Sequence, residues 1–188
     1  VKELKIELLL HKKDNSPIWT EGSYTMSLDL SQHEISEIVM VSREITERKE
    51  LEDKLTYLAY HDSLTQLGNR LKLYKNFPDM LERAKITNSS LALFYVDGDN
   101  FKQVNDVRGH EFGDRVLKEE SKRIRQLLGG QALAIRYGGD EFVLMVPLDS
   151  DLAEVSRTIY DQTHFLLEDY PVTSSIGITT TLSSDREW

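Results

Sequence analysis

Two carboxylates, Asp140 and Glu141, follow Gly138 and Gly139 at the centre of "IRYGGDEFVLMV", residues 135–146. β-prone runs flank them on both sides, so the stretch reads as a hairpin with acids at its tip, and both glycines are expected to supply positive φ. Alone, such acids would only solvate a turn. The second polar cluster, "LALFYVDGDNFKQVNDVRGHEFGD" (residues 91–114), supplies a partner for them. Asp97 ends an apolar run of strand character, the end of a sheet where reactive groups are commonly placed. If the hairpin lies beside that strand, Asp97 and Asp140 converge on one edge, as hard oxygen ligands for a divalent ion. A calcium loop opening at Asp97 is excluded, because position six would be Lys102 rather than Gly and position twelve Arg108 rather than Glu.

The elements that must hold these groups follow from periodicity. Residues 1–45 read as three strands, too few for a core of their own and therefore part of something larger. Residues 46–60 read as a helix with Thr46 as N-cap, acids in its first turn, and a narrow stripe of Leu51, Leu55 and Leu58. A helix over 70–86 carries Leu71, Tyr74, Phe77, Met80 and Leu81, with Pro78 expected to kink or divide it. "LALFYV" (91–96) reads as a central strand covered on both faces. A helix from about Gly113 to Leu128, the hairpin, a helix bearing Leu152, Val155, Ile159 and Leu166, and a strand in "PVTSSIGITTT" complete the pattern. The fold class is α/β (α+β), a single sheet with helices on its faces.

The 188 residues carry a net charge of −9, which argues against a nucleic-acid partner. An anionic small ligand stays open, because a bound divalent ion inverts the local field. No apolar run is long enough to span a membrane, and no membrane contact by this segment is expected. Zero cysteines exclude disulfides and thiolate metal sites and suit a reducing cytoplasm. Neither a P-loop nor a Gly-x-Gly-x-x-Gly turn occurs.

Three motifs in order, "HDSLTQLGNR", "DGDNFKQVNDVRGHEFGD" and "RYGGDEF", strongly resemble the GGDEF family of diguanylate cyclases over residues 61 to roughly 180. "KKDNSPIWTE" and "VSREITERKELEDKL" resemble the C-terminal end of a PAS sensor and its signalling helix. The resemblance implies a central sheet like that of nucleotide cyclases and polymerase palms. It also implies a bacterial, cytoplasmic enzyme, with a membrane-tethered parent left open, that condenses two GTP into cyclic di-GMP and two pyrophosphates across a homodimer. By position, Asp97, the Gly98 carbonyl and Asp140 would hold Mg²⁺ (or Mn²⁺), and Asp140 or Glu141 would deprotonate the attacking hydroxyl. Asn105 and Asp114 would read guanine, and Phe101 and Lys102 would line the phosphates; His110 is counted with these substrate-binding residues, although taken singly it suits a turn-shaping role. Taken singly, Asn105 and Asp106 also suit a helix N-cap, Asp62 and Arg70 a tie between helix and sheet, Arg136 and Tyr137 the hairpin flanks, and His61 a packing role.

The domain reading is therefore 1–45 PAS, 46–60 linker helix and 61–188 GGDEF. Two departures from the family stand out. Its product-inhibition pattern, Arg-x-x-Asp, is replaced by Gly129-Gly130-Gln131-Ala132, so the primary inhibitory site is expected to be missing. Family members also continue into a basic helix that grips the triphosphate, and truncation before it, at Trp188, is expected. The competing expectation is a GTP-binding regulatory module that tunes an attached domain such as a cyclic di-GMP phosphodiesterase.

Overall fold

The computed structural model describes residues 2–29, 34–128, 132–148 and 151–181. The chain divides into two compact units, Val1–Tyr57 and Leu58–Trp188. In the first, strands β1 (Lys2–His11), β2 (Pro17–Asp29) and β3 (Glu34–Glu44) form an antiparallel meander, with Leu9 opposite Trp19 and Ser23 opposite Val41. Leu8, Leu9, Leu10, Val39, Met40 and Val41 remain exposed, as expected of three strands without a covering layer. Helix α1 (Thr46–Tyr60) follows, and it buries no residue. Thr46 does not cap it: the Thr46 hydroxyl accepts from the Trp19 amide at 3.0 Å and donates to Glu44. The Ile45 carbonyl starts the helix instead, accepting from the Lys49 amide.

In the second unit, helix α2 (Arg70–Thr87) is capped by Asn69, whose side chain accepts from the Lys72 amide, and it runs through Pro78 as one helix. Its buried residues are Leu73 and Ala84, whereas Leu71 and Tyr74 face solvent, so the apolar face is rotated from the expected one. Strand β4 (Ser90–Gly98), helix α3 (Phe101–Arg108), helix α4 (His110–Leu127), strands β5 (Leu133–Gly138) and β6 (Glu141–Leu148), and helix α5 (Leu152–Thr163) come next. A short hairpin, β7 (Phe165–Leu167) and β8 (Tyr170–Val172), precedes β9 (Ser174–Thr181). Leu166 therefore lies on β7 and is exposed, not on the preceding helix. α4 begins at His110, before the expected Gly113, and α3 is an element that the sequence pattern did not separate. Asn105 lies inside α3, which rules out the N-cap reading.

The central sheet has the antiparallel order β5-β6-β4-β9. It is the expected central sheet flanked by helices, and the described residues also form the β1-β2-β3 meander and the small β7-β8 hairpin. Alternation along β4 sorts the core into two layers. Leu91 joins Leu73, Ala84, Ile135 and Val143 on the α2 face, and Ala92, Phe94 and Val96 join Leu117, Ile124 and Ile159 on the face of α4 and α5. β4 is covered on both faces only in its first half, because Tyr95 and Asp97 emerge to solvent at its C-terminal end. The site lies at that end.

Candidate active site

β4 is flanked by two strands that run against it, so three chain segments meet at its end. Asp97 lies opposite Glu141 on β6 and opposite Ser175 on β9. The β5–β6 turn is two residues long, Gly139 and Asp140, and only Gly139 takes a positive φ, +51°. Gly138 does not, because a register shift between Arg136 and Gly138 already turns the strand. Arg136 braces the tip from within. Its Nε donates to the Gly139 carbonyl at 2.9 Å, and its guanidinium pairs with Asp62 at 3.0 Å. Asp62 also accepts from the amide and hydroxyl of Thr65, and these bonds, then Arg136, hold its carboxyl below the usual range against the opposing effect of burial.

Asp140 folds back over Gly98, whose amide donates to the Asp140 carbonyl at 3.3 Å. A β-carbon on Gly98 would sit 3.2 Å from Asp140 Oδ2, so the close approach suits glycine. Burial raises the Asp140 carboxyl above its ordinary range, and the negative charges of Asp97 and Glu141 add to this. That concentration of like charge calls for a cation. Among the described residues no three His, Asp or Glu side chains converge as a full protein cage. Two carboxylates and the Gly98 carbonyl are still a donor set that fits Mg²⁺, which keeps positions for water and substrate phosphates. The residues present therefore fit the ion that the family implies.

α3 and α4 extend the site. Lys102 lies exposed in the first turn of α3, while the Phe101 ring packs into the core beneath it. Gly109, at φ +83°, joins the two helices, with His110 exposed at the start of α4. The half-buried Asn105 crosses to α4 at Gly113, beside the exposed Asp114. Asp97, Gly98, Asp140 and Glu141 thus meet at one sheet edge, and Phe101, Lys102, Asn105, His110 and Asp114 all lie on the helix pair that follows β4 directly. Gly129 to Gln131, of the altered inhibition stretch, and residues 182–188 lie outside the described residues. Of the remaining readings, His61 lies 2.8 Å from Lys72 Nζ, and Arg70 stacks on Tyr74 and Tyr137.

Two acids carried no signal of their own in the sequence. Asp99 is held by Thr173 and Ser175, and Glu120 is 1% exposed, accepting from the Ser174 hydroxyl at 3.0 Å. The run Thr173-Ser174-Ser175 was the available hint, three consecutive hydroxyls at the start of a strand.

The helix-flanked antiparallel sheet that carries this acidic edge matches the fold of solved GGDEF domains. Residues 59–187 match the diguanylate cyclase GGDEF-domain family, and the chain belongs to it. It is 35% identical over 148 residues to the probable diguanylate cyclase DgcE of Escherichia coli, covering 75% of this chain and 13% of that protein. It is 37% identical over 131 residues to the bifunctional diguanylate cyclase/cyclic di-GMP phosphodiesterase MucR of Pseudomonas aeruginosa, covering 66% of this chain and 19% of that protein. The coiled-coil and GGDEF structure of DgcB from Caulobacter crescentus, in complex with c-di-GMP, shares the fold. Its TM-score is 0.67 at 23% identity, over 74% of this chain and 78% of that one. The chain thus spans only a small part of the length of these two curated relatives.

Proposed function

We propose that this chain belongs to a diguanylate cyclase that condenses two GTP into cyclic di-GMP and two pyrophosphates. The observation that carries the reading is the edge where Asp97 lies opposite Glu141 while Gly98 donates to the Asp140 carbonyl. Asp97, the Gly98 carbonyl and Asp140 would hold Mg²⁺ or Mn²⁺ there. Such an ion, when bound, would supply Lewis-acid chemistry that lowers the pKa of the attacking 3′-hydroxyl and offsets charge on the phosphates. Glu141, opposite Asp97, takes the proton of that hydroxyl, with Asp140 as the other candidate. Lys102 and the first turn of α3 line the phosphates. Asn105 and Asp114 offer the donor and acceptors that complement the guanine edge, an arrangement that rejects adenine.

Each domain holds one GTP, so attack needs a homodimer that turns the two 3′-hydroxyls toward opposing α-phosphates. The exposed Leu51, Leu55 and Leu58 of α1 support pairing through that helix. We read β1–β3 as the C-terminal part of a PAS sensor and α1 as its signalling helix, in a cytoplasmic setting.

The bifunctional relative supports a second reading, a GTP-binding module that tunes an attached phosphodiesterase. The intact Gly138-Gly139-Asp140-Glu141 tip favours catalysis over it. Incubating the full-length protein with GTP and Mg²⁺ separates the two. Accumulation of cyclic di-GMP supports the cyclase, whereas GTP binding without product supports the module.

A further inference from the structure

Asp99, the second acid of "DGDN", belongs to no ligand set proposed above, yet both its carboxylate oxygens are taken. Thr173 Oγ1 donates to Oδ2 at 2.8 Å and Ser175 Oγ donates to Oδ1 at 2.7 Å. The Asp99 amide donates to the Thr173 carbonyl at 2.9 Å. Three hydrogen bonds thus tie one residue to Thr173, just ahead of β9, and to Ser175 within it. They do so where the chain leaves β4. Gly98 precedes Asp99, Asn100 follows in the left-handed region at φ +56° with no side-chain cap, and α3 starts at Phe101. A turn of this kind costs a non-glycine residue conformational energy and must be held by its surroundings.

We propose that Asp99 is a positioning residue that, clamped by the hydroxyls of Thr173 and Ser175, sets α3 in register with the metal edge. The clamp fixes the direction in which the Gly98 carbonyl points, and it fixes where Lys102 and Asn105 stand relative to Asp97 and Asp140. Asp99 itself touches neither metal nor nucleotide. Removing the hydroxyls should therefore do what removing the carboxylate does. The inference rests on the GTP-site reading given above.

The test uses three variants of the full-length protein: Asp99→Asn, the pair Thr173→Val with Ser175→Ala, and all three changes together. GTP affinity is measured by calorimetry, with kcat, KM and urea midpoint beside it. The first two variants should each weaken GTP binding about tenfold, on the scale of losing one charge-assisted hydrogen bond. The triple variant should be no worse than either, and the three urea midpoints should agree. Unchanged affinity after hydroxyl removal, with affinity lost in Asp99→Asn, would mean that Asp99 acts on the ligand directly and would overturn the clamp. Multiplying losses in the triple variant would overturn it too. If the unaltered protein binds GTP but makes no cyclic di-GMP, the cyclase reading fails while the affinity comparison still decides on the clamp. An unaltered protein that binds no GTP sinks both.

Discussion

The side chain of Asn105 occupies the space that a β-carbon on Gly113 would need. That carbon would lie 2.1 Å from Asn105 Oδ1 and 3.2 Å from Phe101 Cζ. Gly113 thus leaves room for Asn105, which with Asp114 forms the proposed base-reading pair. Gly113→Ala should push Asn105 aside and weaken GTP binding by about 1–3 kcal/mol, the cost of leaving polar groups of guanine unpaired. Alanine gains about 1 kcal/mol over glycine in a helix interior, which offsets crowding and keeps the fold intact. Calorimetry with GTP and ATP checks both parts: selectivity should fall while the urea midpoint stays within error.

Asp97→Asn and Asp140→Asn should each abolish metal-dependent GTP turnover. Stability should not suffer. Asp140 carries its charge against burial and beside two other acids, so Asp140→Asn should leave the urea midpoint unchanged or raise it. Normal turnover in either variant would remove the metal edge as the seat of the chemistry.

Glu120 gives the chain a pH signature. Burial pushes its carboxyl from 4.5 to about 7, with the Ser174 hydrogen bond opposing and the Asp140 charge adding to the rise. Between these values the unfolded chain has lost a proton that the folded chain keeps, so stability falls as pH rises through the window. The loss amounts to about 3 kcal/mol once pH passes 7, an order-of-magnitude figure for a shift of this size. Glu120→Gln should flatten the urea midpoint between pH 5 and pH 8 and raise it at pH 8. An equally steep decline in that variant would show that other groups set the slope.

Leu51, Leu55 and Leu58 are 54%, 66% and 54% exposed, and α1 buries none of them. A stripe that sets how two catalytic domains face each other needs only two packings to change the productive population. Leu55→Asp should change turnover several-fold while leaving GTP binding per subunit intact. An unaltered rate would reduce α1 to a tether.

The acidic edge was legible because its logic is local. An apolar run ending in Asp97 and a glycine pair before Asp140 each predict a strand end and a tip, and antiparallel pairing brings them together. α3 was not legible. Asn105, Asp106, Arg108 and Gly109 have loop-like composition, and what makes the segment helical is the burial of Val104 and Phe101 against α4. The face of α2 was misread for a related reason: Tyr74 is apolar enough to suggest core, but its hydroxyl bonds Arg70 at 2.9 Å at the surface. The Asp99 clamp is a contact between residues 99 and 173–175, a long-range pairing that no local pattern announces.

Binding of Mn²⁺ in the presence of a non-hydrolysable GTP analogue, followed by its paramagnetic resonance signal, tests the metal edge most directly. The unaltered protein should take up Mn²⁺ only with the analogue, because two carboxylates and one carbonyl leave positions for phosphate oxygens. Asp140→Asn should lose that uptake at unchanged fold. Equal Mn²⁺ uptake by the Asp140→Asn protein would contradict this assignment, since the ion would then be held somewhere other than the edge formed by Asp97, Gly98 and Asp140.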